Sequence, residues 1–354
     1  MLSFLQKKGK RNGRVVDPAE ALAGAEELAR SGRRLDAIAA LTAANRMRRD
    51  AAIERRLVEL RNEAFGELDT TGGPGSWPPA APELFAGVEG LPEISGRELS
   101  ADTVRSGIVR HGGLVVRGLI PEARIAQLVS GIDRTFEAYA AYHDDGADIS
   151  QTAPWYVPFE PQGDGSIGQI RPWVWGGGGV LTVESPRSMF DVLEVFEDAG
   201  LREPLTGYLG ERPALSAKKW TLRRVPLTSG TNWHQDGAFL GTGIHTVNVW
   251  LTLSHCGDDA PGLDVVPRRV PEILPTGTEG AIFDWSVGEA VVERAAVEAP
   301  VQRPIFEAGD ALLFDDYFLH RTAVSEAMRN ERYAIESWFF APSTYPLDQI
   351  PVAV

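Results

Sequence analysis

From residue 214 onward the chain is cut into short apolar runs, 214–225, 245–253, 263–266, 311–314 and 332–340, separated by Gly, Pro, Asn and Asp. Runs this short suit strands rather than helices, and their turn-bounded spacing predicts an antiparallel barrel or jelly roll. The preceding half reads differently. Leu114, Val115 and Val116 form a brief strand between Gly113 and Gly118, residues 121–142 read as an amphipathic helix opening with Pro121, and 186–209 are helical again. The fold class is therefore α+β with a β-rich core, flanked by helices.

Four stretches follow. Residues 1–68 form a helical N-terminal extension, 69–96 a Gly/Pro-rich linker, 97–343 the β-rich domain and 344–354 a tail. Within 18–65, Asp17 and Pro18 start one helix that ends at Ser31-Gly32, and two more follow through Leu35, Ile38 and Leu41, then Ile53, Leu57 and Leu60. The small residues Ala25, Ala29, Gly32, Ala37 and Ala40 weakly resemble one helix-turn-helix unit of a tetratricopeptide array. A plain helical extension is the simpler expectation; a module that binds a protein partner is the alternative.

A net charge of −14 repels nucleic acid phosphates over most of the surface. The first 65 residues nevertheless carry 14 basic against 9 acidic side chains, so the two parts present different surfaces. The single cysteine, Cys256, cannot form an internal disulfide, which suits a reducing compartment and a cytoplasmic location. No apolar run is long enough to span a bilayer. The start, MLSFLQKKGKRNGR, places its apolar residues before the basic ones, the reverse of an export signal.

Chemistry concentrates in TNWHQDGAFLG. On an extended chain His234 and Asp236 point to one side and can meet at one ion. A His-x-Asp pair is weak alone. His320, closing GDALLFDDYFLHRT, offers a third ligand. Two histidines and one carboxylate leave three adjacent positions open, the arrangement of non-haem Fe(II) sites that take a cosubstrate and O2. Zinc hydrolysis uses similar ligands but needs only one open position. The choice turns on Arg332, which starts the RYAIESWFF run and can grip a carboxylate such as the far end of 2-oxoglutarate bidentately. Thr322 could add a hydroxyl donor.

WHQDG, VNVWLTLS, PGLDVVP, GDALLFDDYFLH and RYAI, in this order, together with GGLVVRGLIPEARIAQL, resemble the phytanoyl-CoA dioxygenase-like family of Fe(II)/2-oxoglutarate oxygenases over residues 97–343. The resemblance implies a double-stranded β-helix, iron ligands His234, Asp236 and His320, and Arg332 with Thr322 on the distal carboxylate of 2-oxoglutarate. It also implies that Trp250 lines the cosubstrate pocket and, more loosely, that Thr221 contacts the cosubstrate. The Arg lies one residue further from the distal His than in relatives, which makes Arg329 a rival. PRR replaces the family's usual ending after the VP turn. Halogenating relatives lack the metal carboxylate, so Asp236 points to hydroxylation of a small molecule.

The aromatic, glycine-rich stretch 144–180 reads as a lid, with Trp155, Tyr156, Arg171, Trp173 and Trp175 as candidates for the substrate wall. Gly176 to Gly179 are read as flexible. Lys218, Lys219, Arg223 and Arg224 could form a basic patch near the site. Asp315 and Asp316 read as a solvated turn and Cys256 as a bystander, while His111, His143, His245 and His255 read as structural. Two other function classes stay open: a non-catalytic scaffold working through residues 18–65, and a metal-dependent hydrolase or isomerase on a similar barrel.

Overall fold

The computed structural model describes residues 17–71, 75–162 and 165–354. The basic N-terminal run, on which the reading of export rests, lies outside the described residues. Helices α1 (Pro18–Arg30), α2 (Arg34–Met47) and α3 (Ala51–Glu63) come first. Asp17 caps α1 by accepting the Ala19 N–H, Pro18 opens its first turn, and Asp50 caps α3 by accepting from Ala52 and Ile53. These helices bury Ala29, Ile38, Leu41, Ile53 and Leu60 in one apolar cluster with Phe190, Tyr345 and Ala353. The remaining elements in chain order are β1 (Glu93–Ser95), α4 (Ala101–His111), β2 (Gly113–Arg117), α5 (Glu122–His143), α6 (Ile149–Thr152), α7 (Arg171–Gly176), β3 (Gly179–Leu181), α8 (Pro186–Asp198) and α9 (Arg202–Leu209), then β4 (Ala214–Val225), α10 (Gly237–Leu240), β5 (Thr246–Thr252), β6 (Gly262–Arg269), α11 (Glu289–Ala295), β7 (Ala311–Phe314), β8 (Phe318–Ala323), β9 (Arg332–Phe340) and β10 (Pro351–Ala353).

Charge ties the N-terminal helices to α8. Glu54, fully buried, accepts from Asn45 and Arg187 and pairs with Arg49, which also reaches Asp191. Arg61 and Asn62 donate to the carbonyls of Ala353 and Pro351. Removing a buried carboxylate strands its partners, although both arginines here keep some water. Glu54→Ala is therefore expected to cost roughly 1–3 kcal/mol, measurable as a lowered urea midpoint.

Eight strands make the large sheet, in the order β1-β2-β7-β5-β9-β4-β10 with β3 added on β4; all pairs are antiparallel except β1 with β2. Residues 344–354 are thus not a free tail, because β10 pairs with β4 through Val352 and Leu215. A second sheet pairs β6 with β8. Strand alternation sorts the large sheet into two faces. Val249, Leu313 and Ile335 pack on one side with Ile108 of α4, Ile132 of α5 and Val192 of α8. Trp250, Leu312, Phe314 and Trp338 point the other way, toward Leu263, Val265 and Phe318 of the small sheet. The inward face also carries residues no packed core would choose: Lys219, Arg223, Asn248, Arg332 and Glu336.

The described parts of the stretch 144–180, residues 144–162 and 165–180, are more ordered than their composition suggested. Asp148 and Gln151 form a capping box around the single turn of α6, and Pro172 starts α7. The glycine run serves close approach rather than flexibility: at Gly178, with φ +74°, a Cβ would lie 2.5 Å from the Arg224 carbonyl oxygen, and Gly179 is already paired with Arg223.

Candidate active site

The two histidines meet through the main chain. His234 donates its amide to the His320 carbonyl (3.0 Å) and receives the reciprocal bond (3.1 Å), an isolated bridge between the β4–β5 connection and β8. Their rings therefore stand side by side, with centroids 4.4 Å apart. Each ring nitrogen Nδ1 faces the carbonyl two residues earlier, Asn232 at 2.8 Å and Phe318 at 3.0 Å. A proton on Nδ1 satisfies both carbonyls and leaves each Nε2 lone pair free, the form that binds an ion.

Asp236 arrives by a turn. Its backbone is already helical and heads α10, so the carboxylate joins the histidines through a bend rather than through strand alternation. Gly237 permits the bend, since a Cβ there would lie 2.6 Å from Ile273 Cδ1 and 2.9 Å from Asp316 Oδ2. Gln235, between His234 and Asp236, points away and pins the loop: it donates to the carbonyls of Glu272 and Tyr317 and accepts from the Leu274 amide. Asp236 Oδ2 lies 3.6 Å from His320 Nε2, and one ligand atom from each of the three residues lies within 4.8 Å of the others. Burial, with the neighbouring His320, pulls His234 down to about 4. At neutral pH it is an uncharged imidazole.

Arg332 sits in the same cavity of about 490 Å³, together with Thr322 and Trp250. Its guanidinium lies 5.2 Å from the Trp250 ring centroid, Nη1 donates to the carbonyls of Pro261 and Gly262, and Nε has no partner. Only 2% of the residue is exposed. Burial pulls its pKa down to about 10, so it remains charged at pH 7. A buried cation with no carboxylate partner among the described residues, lining the same cavity as three convergent metal-ligating side chains, can hold one end of a dicarboxylate. Arg329 is exposed and does not line this cavity; its Nη1 donates to the carbonyls of Glu326 and Met328.

The other expected residues are scattered. Thr221 lies near Glu336, 3.4 Å from its carboxylate, and does not line the cavity. Of the proposed substrate wall only Trp173 does, 71% exposed, in the company of Ile170, Phe239 and Trp285. Helical phase accounts for the rest of α7: Arg171 and Trp175 are four residues apart on one face, where Arg171 pairs with Glu184 and Trp175 stacks on Tyr139. Tyr156 is buried against His143, and Trp155 lies between Arg134 and Arg187. The basic patch also divides: Lys219 reaches Asp236, Arg223 enters the cavity beside Glu336, and Arg224 pairs with Glu331.

Asp315 and Asp316 are buried rather than solvated and do not orient His320. Asp315 pairs with Arg269. Burial, with Asp315 alongside, pushes Asp316 up to about 8. The folded protein thus keeps a proton at pH 7 that an unfolded carboxyl, with a pKa of about 3.9, has released. Fewer protons on the unfolded chain mean that stability falls as pH rises from about 4 to about 8. Asp316→Asn is expected to flatten that fall, which thermal midpoints at about pH 5 and about pH 8 would reveal.

No protein-family model matches the chain, and no curated protein does. Among solved structures it is similar to EctD from S. alaskensis with 2-oxoglutarate and 5-hydroxyectoine, at 15% identity over 75% of this chain and 87% of that one, with a TM-score of 0.48. It is also similar to AviO1 from Streptomyces viridochromogenes Tue57, at 17% identity over 70% and 97% with a TM-score of 0.43. A third is SnoK, a non-heme alpha ketoglutarate dependent carbocyclase from nogalamycin biosynthesis, at 14% over 70% and 86% with a TM-score of 0.45. Likenesses this distant assign no chemistry, which the pocket itself must carry.

Gln235, Trp285 and Glu336 were not singled out by sequence, and Lys219 was expected only as part of a basic patch near the site. Trp285 packs edge-on against His234, ring centroids 5.8 Å apart. A second cluster, His255 with Asp258 and Asp259, lies on the surface, and both nitrogens of that histidine are engaged by Asp258 and Glu307.

Proposed function

We propose that this chain is a non-haem Fe(II)/2-oxoglutarate-dependent oxygenase of the phytanoyl-CoA dioxygenase-like kind, in which the large sheet and the β6–β8 pair are the two walls of a double-stranded β-helix. The observation that carries this reading is one cavity with His234, Asp236 and His320 converging at one place and an unpaired, buried Arg332 elsewhere on its wall.

His234, Asp236 and His320 would hold the iron, and Arg332 with Thr322 the distal carboxylate of 2-oxoglutarate. Bound there, iron supplies the oxidising chemistry that consumes O2 and 2-oxoglutarate and yields succinate, CO2 and an oxidised substrate. The chain's own work is geometric. The Nδ1 bonds to Asn232 and Phe318 fix the ring orientations before any ligand binds. Trp250 walls the cosubstrate side and, with Phe314 and Leu263, keeps it apolar. Trp173, Phe239 and Trp285 form the mouth where a small molecule would enter, and hydroxylation is the reaction proposed for it. The lone, buried Cys256 is compatible with a cytoplasmic setting.

Anaerobic titration of the purified protein with Fe(II) and then 2-oxoglutarate tests the proposal. Tight uptake of both, and release of succinate with CO2 once air and substrate are admitted, is the expected result. A protein that binds neither ligand, or that turns over a substrate without O2, is not this enzyme.

A further inference from the structure

We propose that Lys219 is a positioning residue for the iron site: by holding Oδ1 of Asp236 it confines that carboxylate to one ligand oxygen and keeps three neighbouring positions on the ion open. The inference rests on the oxygenase reading of the cavity.

A carboxylate beside a metal can bind through one oxygen or through both. Two histidines and a one-oxygen aspartate occupy three positions, leaving two for a chelating oxoacid and one for a further ligand; a two-oxygen aspartate removes one of those three. In this protein the two oxygens are not equivalent. Oδ2 points to the histidines, 3.6 Å from His320 Nε2. Oδ1 accepts a hydrogen bond from Lys219 Nζ at 3.1 Å. That bond is charge-assisted and largely shielded, the side chains being 21% and 3% exposed.

The lysine is aimed rather than merely nearby. The pairing of β4 with β9 shifts register between Leu215 and Trp220, an irregularity that turns residue 219 toward the cavity. The Lys219 amide is anchored on the Ser216 hydroxyl, which is itself bonded to the Gln349 carbonyl. On its far side the ammonium lies 4.1 Å from the Phe239 ring centroid, in the helix that Asp236 heads. Bulge, hydroxyl anchor and aromatic shelf thus place one cation on one of two carboxylate oxygens.

The test uses full-length protein loaded anaerobically with Fe(II). In Lys219→Met, Fe(II) affinity is expected to stay within about threefold of wild type, because the second aspartate oxygen joins the metal and a neighbouring positive charge is gone, which together offset the usual cost of losing an orienting partner, while the Kd for 2-oxoglutarate rises about tenfold or more. X-ray absorption at the iron edge is expected to show one more aspartate oxygen on the metal than in wild type. Lys219→Arg, which keeps a charged donor, is expected to restore both properties; it also serves if the Met variant folds poorly, since full loss in Lys219→Arg overturns the proposal. Unchanged 2-oxoglutarate affinity in Lys219→Met overturns it. So does weaker affinity with the same iron coordination as wild type, which would mean that the lysine contributes only its charge. Failure of wild type to bind iron or 2-oxoglutarate removes the oxygenase reading itself, a different outcome from any of these.

Discussion

His320→Ala is expected to weaken Fe(II) binding by at least about a hundredfold while the chain still folds. Losing a residue that only orients a ligand already costs about 10- to 100-fold, and here a ligand itself disappears. The remaining pair, His234 and Asp236, belongs to one short loop, whereas His320 comes from β8 and supplies the only ligand from the small sheet. The truncated ring also leaves space beside Phe314 and Phe318, which it touches edge-on and stacked, so a modest loss of stability accompanies the loss of metal. The two effects separate in a thermal scan. Wild type should gain about 2.7 kcal/mol from iron at a hundred times its Kd, and the variant should gain almost nothing at the same concentration. A variant that still takes up iron as wild type does would remove His320 from the site.

Arg332→Ala is expected to weaken 2-oxoglutarate by roughly 2–4 kcal/mol, about 30- to 1000-fold, with iron binding intact. The size follows from what is left behind. The guanidinium is buried and anchored by two carbonyls; its removal leaves one end of a dicarboxylate without its bidentate partner. Arg332→Lys keeps the charge but loses the planar fork, and should fall between the two. Arg329→Ala serves as the neighbouring control, expected to match wild type because that side chain stays at the surface. Calorimetry under nitrogen on the iron-loaded proteins reads all three.

The parts of this molecule that depend on local pattern were readable from sequence. Alternation and turn residues marked β4, β5, β7 and β9 within a residue or two, and Asp17-Pro18 marked the start of α1. The convergence of His234, Asp236 and His320 was readable because chemistry restricts such candidates to a few residue types. What escaped depends on contacts between distant segments. Lys219 looked like one member of a basic patch, and only the shifted register of β4 directs it to Asp236. Arg171 and Trp175 looked like wall residues because α7, a single helical segment among glycines and prolines, was not visible, and its phase turns them inward. Strands β1, β3 and β10, three residues each, carry too little pattern to stand out and exist because a neighbouring edge was available to pair with. Asp315 and Asp316 looked solvated because adjacent acids usually are; Arg269 and close packing against Gly237 bury them.

The mutual amide bonds of His234 and His320 set an order of assembly. The pair is separated by 86 positions, so during synthesis the earlier imidazole waits, without its neighbour, until residue 320 has left the ribosome. If this cluster is the proposed iron site, capture of the metal is a late event, tied to the docking of β8 against the β4–β5 connection, and a nascent chain cannot sequester it before the walls that would shield it have closed.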